Sequence, residues 1–187
     1  MTQLNRLAPA NKGILALICT TSLFMGACSE NNVKPEKLSD TQACNNLKDL
    51  IADHANQFKN TRTDFSSHKR LSIWSAKKVF PSADNCQVWE WSTGLFNYVC
   101  EWSSGKDENQ ALNHFQDGNN IIQSCLGNTW SAQTSETQSG GKRLTYSAPD
   151  KNTIVSIRYF KEQKGWMPAW QNTVVIGDKN NLNAPLQ

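Results

Sequence analysis

Few side chains in this sequence could carry chemistry. There are three histidines, His54, His68 and His114. His54 and His114 fall in stretches whose apolar residues recur at intervals of three and four, so each would sit beside the buried stripe of a helix. An imidazole there can act as a base or a metal ligand, but a lone one is far more often a packed helix residue. Asp53 with His54 and Asp107 with Glu108 are sequence neighbours, and neighbours on a helix do not converge. No H-E-x-x-H, G-x-S-x-G or phosphate-loop pattern is present. Ser139-Gly140-Gly141-Lys142 is glycine-rich but leads into a strand, so it reads as a turn. No catalytic residue, cofactor site or metal site is expected.

The aromatic side chains give the positive signal. The chain has seven tryptophans. Trp89 and Trp91 alternate along one hairpin strand, on its more polar face. Trp166-Met167-Pro168-Ala169-Trp170 reads as an uncharged aromatic loop. Exposed tryptophan is enriched at binding hot spots and also stacks on sugars. Trp89, Trp91, Trp166 and Trp170 are therefore the expected partner-binding residues. The competing expectation is that all four are core.

A second pattern concerns location. Arg6 and Lys12 precede an uncharged run, Gly13 to Met25, that is too short and too rich in hydroxyl residues to span a bilayer. A basic start, a short apolar stretch and small residues at its end describe a secretory signal. The segment Met25-Gly26-Ala27-Cys28 resembles the lipobox of bacterial lipoproteins. Ala27 and Cys28 fit that pattern; Met25 and Gly26 stand where Leu and Ala or Ser are preferred. The resemblance implies cleavage before Cys28, lipid on its sulfur and new amino terminus, and membrane attachment through it. Ser29 in the next position implies, by the same resemblance, the outer membrane of a Gram-negative envelope, with the domain facing the periplasm.

Of six cysteines, Cys19 would leave with the signal and Cys28 would carry lipid. Cys44, Cys86, Cys100 and Cys125 remain, an even number in an exported chain, which reads as two disulfides. Their spacing matches no usual zinc site. Three pairings are open. The hairpin register allows Cys86 with Cys100, but bridges between distant elements constrain the unfolded chain more. That argument favours Cys44 with Cys86 and Cys100 with Cys125. Residues 1–27 hold two bases and no acid, so the mature chain has 19 − 2 = 17 bases against 16 acids. A net charge of 17 − 16 = +1, spread along the chain, gives no basic face for nucleic acid.

These side chains need elements to hold them. Residues 28–39 are polar and read as a lipidated flexible tether. A helix is expected from Asp40, as its cap, to about Lys59, and a second from about Asp107 to Cys125, stopped by Gly127 and weakened at Gly118. Strands are expected at 71–80, 86–91, 95–102, around Trp130, and at 142–147, 153–160 and 173–176. Gly94 supplies the positive φ for a Ser92-Thr93-Gly94 turn, placing Trp91 opposite Leu95 and Cys86 opposite Cys100. One hairpin face then carries Cys86, Val88, Phe96, Tyr98, Cys100 and Trp102, the better core. The expected fold is α+β: an antiparallel sheet of six to seven strands with two helices packed on one face. Trp74-Ser75-Ala76 recurring as Trp130-Ser131-Ala132 suggests a duplicated α-β-β-β unit, an outline similar to that of β-lactamase inhibitory proteins. The domain would span 40–177, with 178–187 as a C-terminal tail. The function expected from all this is a membrane-anchored envelope lipoprotein that binds a protein partner without catalysis, as an inhibitor or immunity-type factor. An accessory factor contacting peptidoglycan and a hydrolase with an unrecognised site are the alternatives.

Overall fold

A computed structural model of the chain describes residues 39–68, 71–81, 83–163 and 167–181, with the backbone alone for Ser67, His68 and Asn181. The leader, Cys28 and Trp166 lie outside the described residues. Helix α1 (Asp40–His54) is capped one residue earlier than expected. Ser39 Oγ accepts from the Gln42 N–H and Gln42 Oε1 accepts from the Ser39 N–H, a reciprocal capping box. The helix also ends five residues early. Gln57 and Phe58 take positive φ values of 58° and 56°, a conformation that costs an L-residue about 1–2 kcal/mol. Asp53 sustains the turn: its buried carboxylate accepts from Asn60 N at 3.1 Å, Asn60 Nδ2 at 2.8 Å and Thr61 Oγ1 at 2.8 Å. The turn drops Phe58 fully into the core, and burying such a ring is worth about 1.5–3 kcal/mol.

Helix α2 (Glu108–Leu126) begins at Asp107, whose Oδ1 accepts from Asn109 N and Gln110 N, and stops at Gly127 with φ 73°. Gly118 lies where the helix meets the sheet. A Cβ there would stand 2.5 Å from Ile157 Cδ1, so the missing side chain lets α2 approach closely.

Eight strands form one antiparallel sheet: β1 (Arg62–His68), β2 (Leu71–Ala76), β3 (Asn85–Trp91), β4 (Phe96–Gly105), β5 (Ser131–Glu136), β6 (Lys142–Ser147), β7 (Thr153–Glu162) and β8 (Ala169–Asp178). Their order is β1-β2-β3-β4-β8-β7-β6-β5. The strand beyond the expected six to seven is β1. Its sequence, RTDFSSH, has one apolar residue, and that residue, Phe65, is 60 % exposed. Each helix is followed by four strands paired in sequence order, and the two sets join where β4 pairs with β8. The Trp-Ser-Ala triplets are not equivalent in this order: one lies in β2, the other leads into β5.

Alternate residues face the helices. Val88, Tyr98, Ile176, Val155 and Tyr146 form one cross-strand row, and Cys86, Cys100, Val174, Ile157 and Leu144 the next. They pack with Leu47, Leu50 and Phe58 from the first half and Ala111, Phe115 and Ile122 of α2. The disulfides are Cys44–Cys125, which joins the helices, and Cys86–Cys100, which spans the β3–β4 hairpin. The expected Cys44–Cys86 and Cys100–Cys125 pairs do not form. The Gly94 turn sets Cys86 opposite Cys100 with Cα atoms 4.1 Å apart, and the helices bring Cys44 and Cys125 to 4.9 Å.

All three tyrosines are held protonated. Tyr98 donates to the Lys78 carbonyl at 2.8 Å and Tyr146 to Asn119 Oδ1 at 2.6 Å. Burial raises all three phenols above the ordinary 10, and Glu108 and Glu136 add to it at Tyr159. A phenol raised on folding stabilises the protein fully below pH 10, and that contribution is lost as pH rises past it. An ultraviolet titration should therefore show the Tyr98 share of the tyrosinate signal only above pH 10, together with unfolding. All three phenols titrating together at pH 10 in a still-folded chain would contradict this packing.

Candidate functional site

The other face of the sheet lies away from both helices. Its rows are Leu71–Trp91; Ile73–Trp89–Asn97–Gly177–Ile154; Gln87–Val99–Val175–Ser156–Thr145; and Glu101–Thr173–Arg158–Arg143. Trp89, Trp91, Ile73, Val99 and Val175 are outside the helix-covered cluster. Trp89 and Trp91 are half-buried, with centroids 6.0 Å apart and planes at 70°. Trp89 Nε1 donates to Gln87 Oε1 and Trp91 Nε1 to Asn97 Oδ1, each at 2.9 Å. The indole N–H groups are thus satisfied from within, and what the pair offers outward is fixed aromatic surface.

The far end of this face is charged. Arg143 and Arg158 stand opposite each other across β6 and β7. The Arg158 guanidinium lies 4.3 Å from the Phe160 ring centroid. Burial, with the Arg143 charge second, pulls Arg158 down to about 10, against the opposing pull of Glu101. Burial lowers Arg143 as well. Arg158 Nε and Thr173 Oγ1 are buried without a hydrogen-bond partner.

Trp170, expected at a partner-binding loop, is core instead. It is 7 % exposed and packs on Tyr159 at 5.7 Å. It lies in β8, which begins at Ala169, four residues earlier than expected. So covered a ring offers almost nothing to a partner.

Sequence reasoning missed a cleft of about 750 Å³ at one end of the sheet. It lies between the last turns of α1, the end of α2, and the β3–β4 and β6–β7 turns. His54 forms part of its wall. His54 Nδ1 is 2.7 Å from Thr153 Oγ1, and Nε2 is 3.3 Å from Asp178 Oδ2. The carboxylate can only accept, so a neutral ring donates from Nε2 and accepts the Thr153 hydroxyl proton at Nδ1. Hydroxyl to imidazole to carboxylate is the polarity of a hydrolase triad. However, Thr153 is only 8 % exposed and sits in β7 paired with Asp178 itself. Asp178 Oδ2 also lies 3.4 Å from the Phe96 N of β4, a fourth element beside α1, β7 and β8. A substrate would have to displace the ring or the strand to reach the hydroxyl, so the trio acts as a clamp on four segments. Asp178, placed in the tail by sequence, is the last residue of β8. No local signal marks these residues: His54 is 99 positions from Thr153 and 124 from Asp178.

His114 closes a buried network rather than a site. Asn172 Nδ2 donates to the Ala111 carbonyl, Ser104 Oγ donates to Asn172 Oδ1, and His114 Nδ1 meets Ser104 Oγ at 3.1 Å. Among the described residues, no group of three or more His, Cys, Asp or Glu could hold a metal ion, and no helix is long and apolar enough to cross a membrane. No protein-family model, curated protein or solved structure matches this chain.

Proposed function

We propose that this chain is an envelope lipoprotein, anchored through Cys28 at the outer membrane and facing the periplasm, whose domain binds a protein partner without catalysis. An inhibitor or immunity-type role fits that description. The observation that carries the reading is the helix-free sheet face, with the fixed Trp89–Trp91 pair at one end and the Arg143–Arg158 row at the other. Tryptophan and arginine are the residues that most often anchor protein interfaces. Ile73, Val99 and Ile154 on this face are buried, so the Trp89–Trp91 pair is what it offers, and a fixed aromatic pair on one rigid sheet suits a partner that is itself folded.

A second reading follows from one detail. Gln87 and Asn97 bracket the two indoles with amides, and paired tryptophans with amides suit glycan, here peptidoglycan. The amides already accept from the indoles, which leaves them less to offer a sugar.

All packing described above and both disulfides lie within residues 39–181, so a chain from Ser29 contains the complete core. Crosslinking of that chain in envelope extracts should capture a discrete protein, and Trp89→Ala with Trp91→Ala should reduce capture about tenfold or more. Trp166→Ala tests the loop separately. Retention on peptidoglycan sacculi, lost with the same two substitutions, would favour the glycan reading. Full capture by the doubly substituted chain would remove the sheet face from consideration. Palmitate should label the full chain and fail to label Cys28→Ser.

A further inference from the structure

We infer that the cleft beside His54 binds a small amphipathic monoanion, with an apolar body inside and one carboxylate or sulfonate at its mouth. This goes beyond the protein-binding reading and uses a different surface.

The volume, about 750 Å³, falls in the range of roughly 300–1,000 Å³ that holds small molecules. The wall combines apolar and polar groups in similar measure. Ile51, Leu95, Leu126 and Trp130 line the cleft, from α1, the β3–β4 turn, α2 and the segment before β5. All four are half-buried, so each still has apolar surface to give up to a ligand. Part of the polar wall is already committed, while Gln57 and Asn152 stay exposed beside it. Both nitrogens of His54 are engaged, the Thr153 hydroxyl is spent on the ring, and the Asp178 carboxylate takes His54 and lies against the Phe96 N–H. Beside the His54–Thr153–Asp178 trio a ligand rich in hydrogen-bonding groups would find few free partners and would lose hydration there.

The mouth is cationic. Lys48 on α1 and Lys151 in the β6–β7 turn line the cleft and are exposed. Among the described residues neither lysine has an ion-pair partner, and Asp178 is the cleft's single carboxylate. A cleft with apolar side chains and two exposed cations in its lining selects against cations by repulsion, and offers an anion a charge contact that a neutral apolar molecule cannot make. The half-buried Trp130 ring favours a flat or chain-like body.

Two fluorescent probes test this on the chain from Ser29. Anilinonaphthalene sulfonate is a flat aromatic monoanion; N-phenylnaphthylamine has a similar body and no charge. The sulfonate should bind saturably at one site per chain. Lys48→Glu with Lys151→Glu should weaken it about tenfold while changing the neutral probe less than about threefold. Trp89→Ala, on the open sheet face, should change neither, which separates this site from the protein-binding surface. Lys48→Gln with Lys151→Gln should give an intermediate loss, and near-ultraviolet circular dichroism checks that each variant is folded. Absence of saturable sulfonate binding overturns the inference. So does equal loss of both probes in the glutamate variant, or loss through Trp89→Ala instead.

Discussion

Replacing Cys44 and Cys125 together by alanine is expected to cost about 4.5 kcal/mol of stability, and replacing Cys86 with Cys100 about 3 kcal/mol. The ranking comes from loop size. The helix–helix bridge closes a separation of 81 residues, the hairpin bridge one of 14. A cross-link removes entropy from the unfolded chain roughly as the logarithm of the loop, so the longer one removes more. Folded-state contacts reinforce the ranking. Cys86 and Cys100 are already placed opposite each other by the Gly94 turn and the β3–β4 ladder. Cys44 lies on a 15-residue helix that borders the cleft, and Cys125 is part of the cleft wall. Domains of this size are stable by only about 5–15 kcal/mol, so losing the longer bridge should bring the chain close to unfolding at body temperature. Urea titrations of the two double variants, compared with the parent, give both numbers. A larger loss from the hairpin pair would refute the loop-size argument. The same helix variant should bind the anionic probe more weakly, since Cys125 helps to shape that cleft.

What was legible in the sequence follows the range of the interactions. The turn and register of the β3–β4 hairpin can be read to the residue because one glycine, Gly94 at φ 77°, fixes both within a few positions, although β4 runs on to Gly105, three residues past the expected end. Helix α2 could be read because Asp107 and Gly127 mark its ends locally. Strand β1 could not, because its seven residues lack alternation and are held by β2, including Thr63 Oγ1 donating to the Ser75 carbonyl. The end of α1 was misplaced for a related reason: the periodic pattern runs on to Phe58, but Asp53 reaches forward to Asn60 and Thr61 and reverses the chain. Unfolded-chain entropy points to the wrong disulfide pairing because geometry in the folded state decides it. On the candidate surfaces, Trp89 and Trp91 fell on the expected polar face because the hairpin register is local. The cleft had no such cue, since its residues meet only when β4, β7, β8 and both helices are in place. Trp170 looks like a loop residue in the sequence because nothing local reveals that β8 extends back to Ala169 and turns that ring inward.

Gly177→Ala is expected to destabilise the domain by about 3 kcal/mol, whereas Gly118→Ala should be nearly neutral. Both glycines sit where elements pack closely, and the difference lies in what a new Cβ would strike. At Gly118 the one close approach is to the terminal Cδ1 of Ile157, a side-chain end that can give way, with Phe80 Cε1 at an ordinary 3.5 Å. The helix also gains about 1 kcal/mol in propensity from alanine over glycine. At Gly177 the new carbon would overlap Asn97 Nδ2 and come within 2.6 Å of the Phe96 carbonyl oxygen. That carbonyl belongs to the backbone of β4, which is paired with β3 on one side and β8 on the other, and cannot retreat. Asn97 must yield instead. Asn97 is 3 % exposed and is the acceptor for Trp91 Nε1. Displacing it strands a buried amide and frees one of the two indoles on the open face. Trp91 emission should therefore shift to the red in Gly177→Ala and stay unchanged in Gly118→Ala, and capture of a partner should weaken in the first variant alone. Equal denaturation midpoints for the two variants would mean that the glycine-to-asparagine contact does not hold the Trp89–Trp91 surface in place.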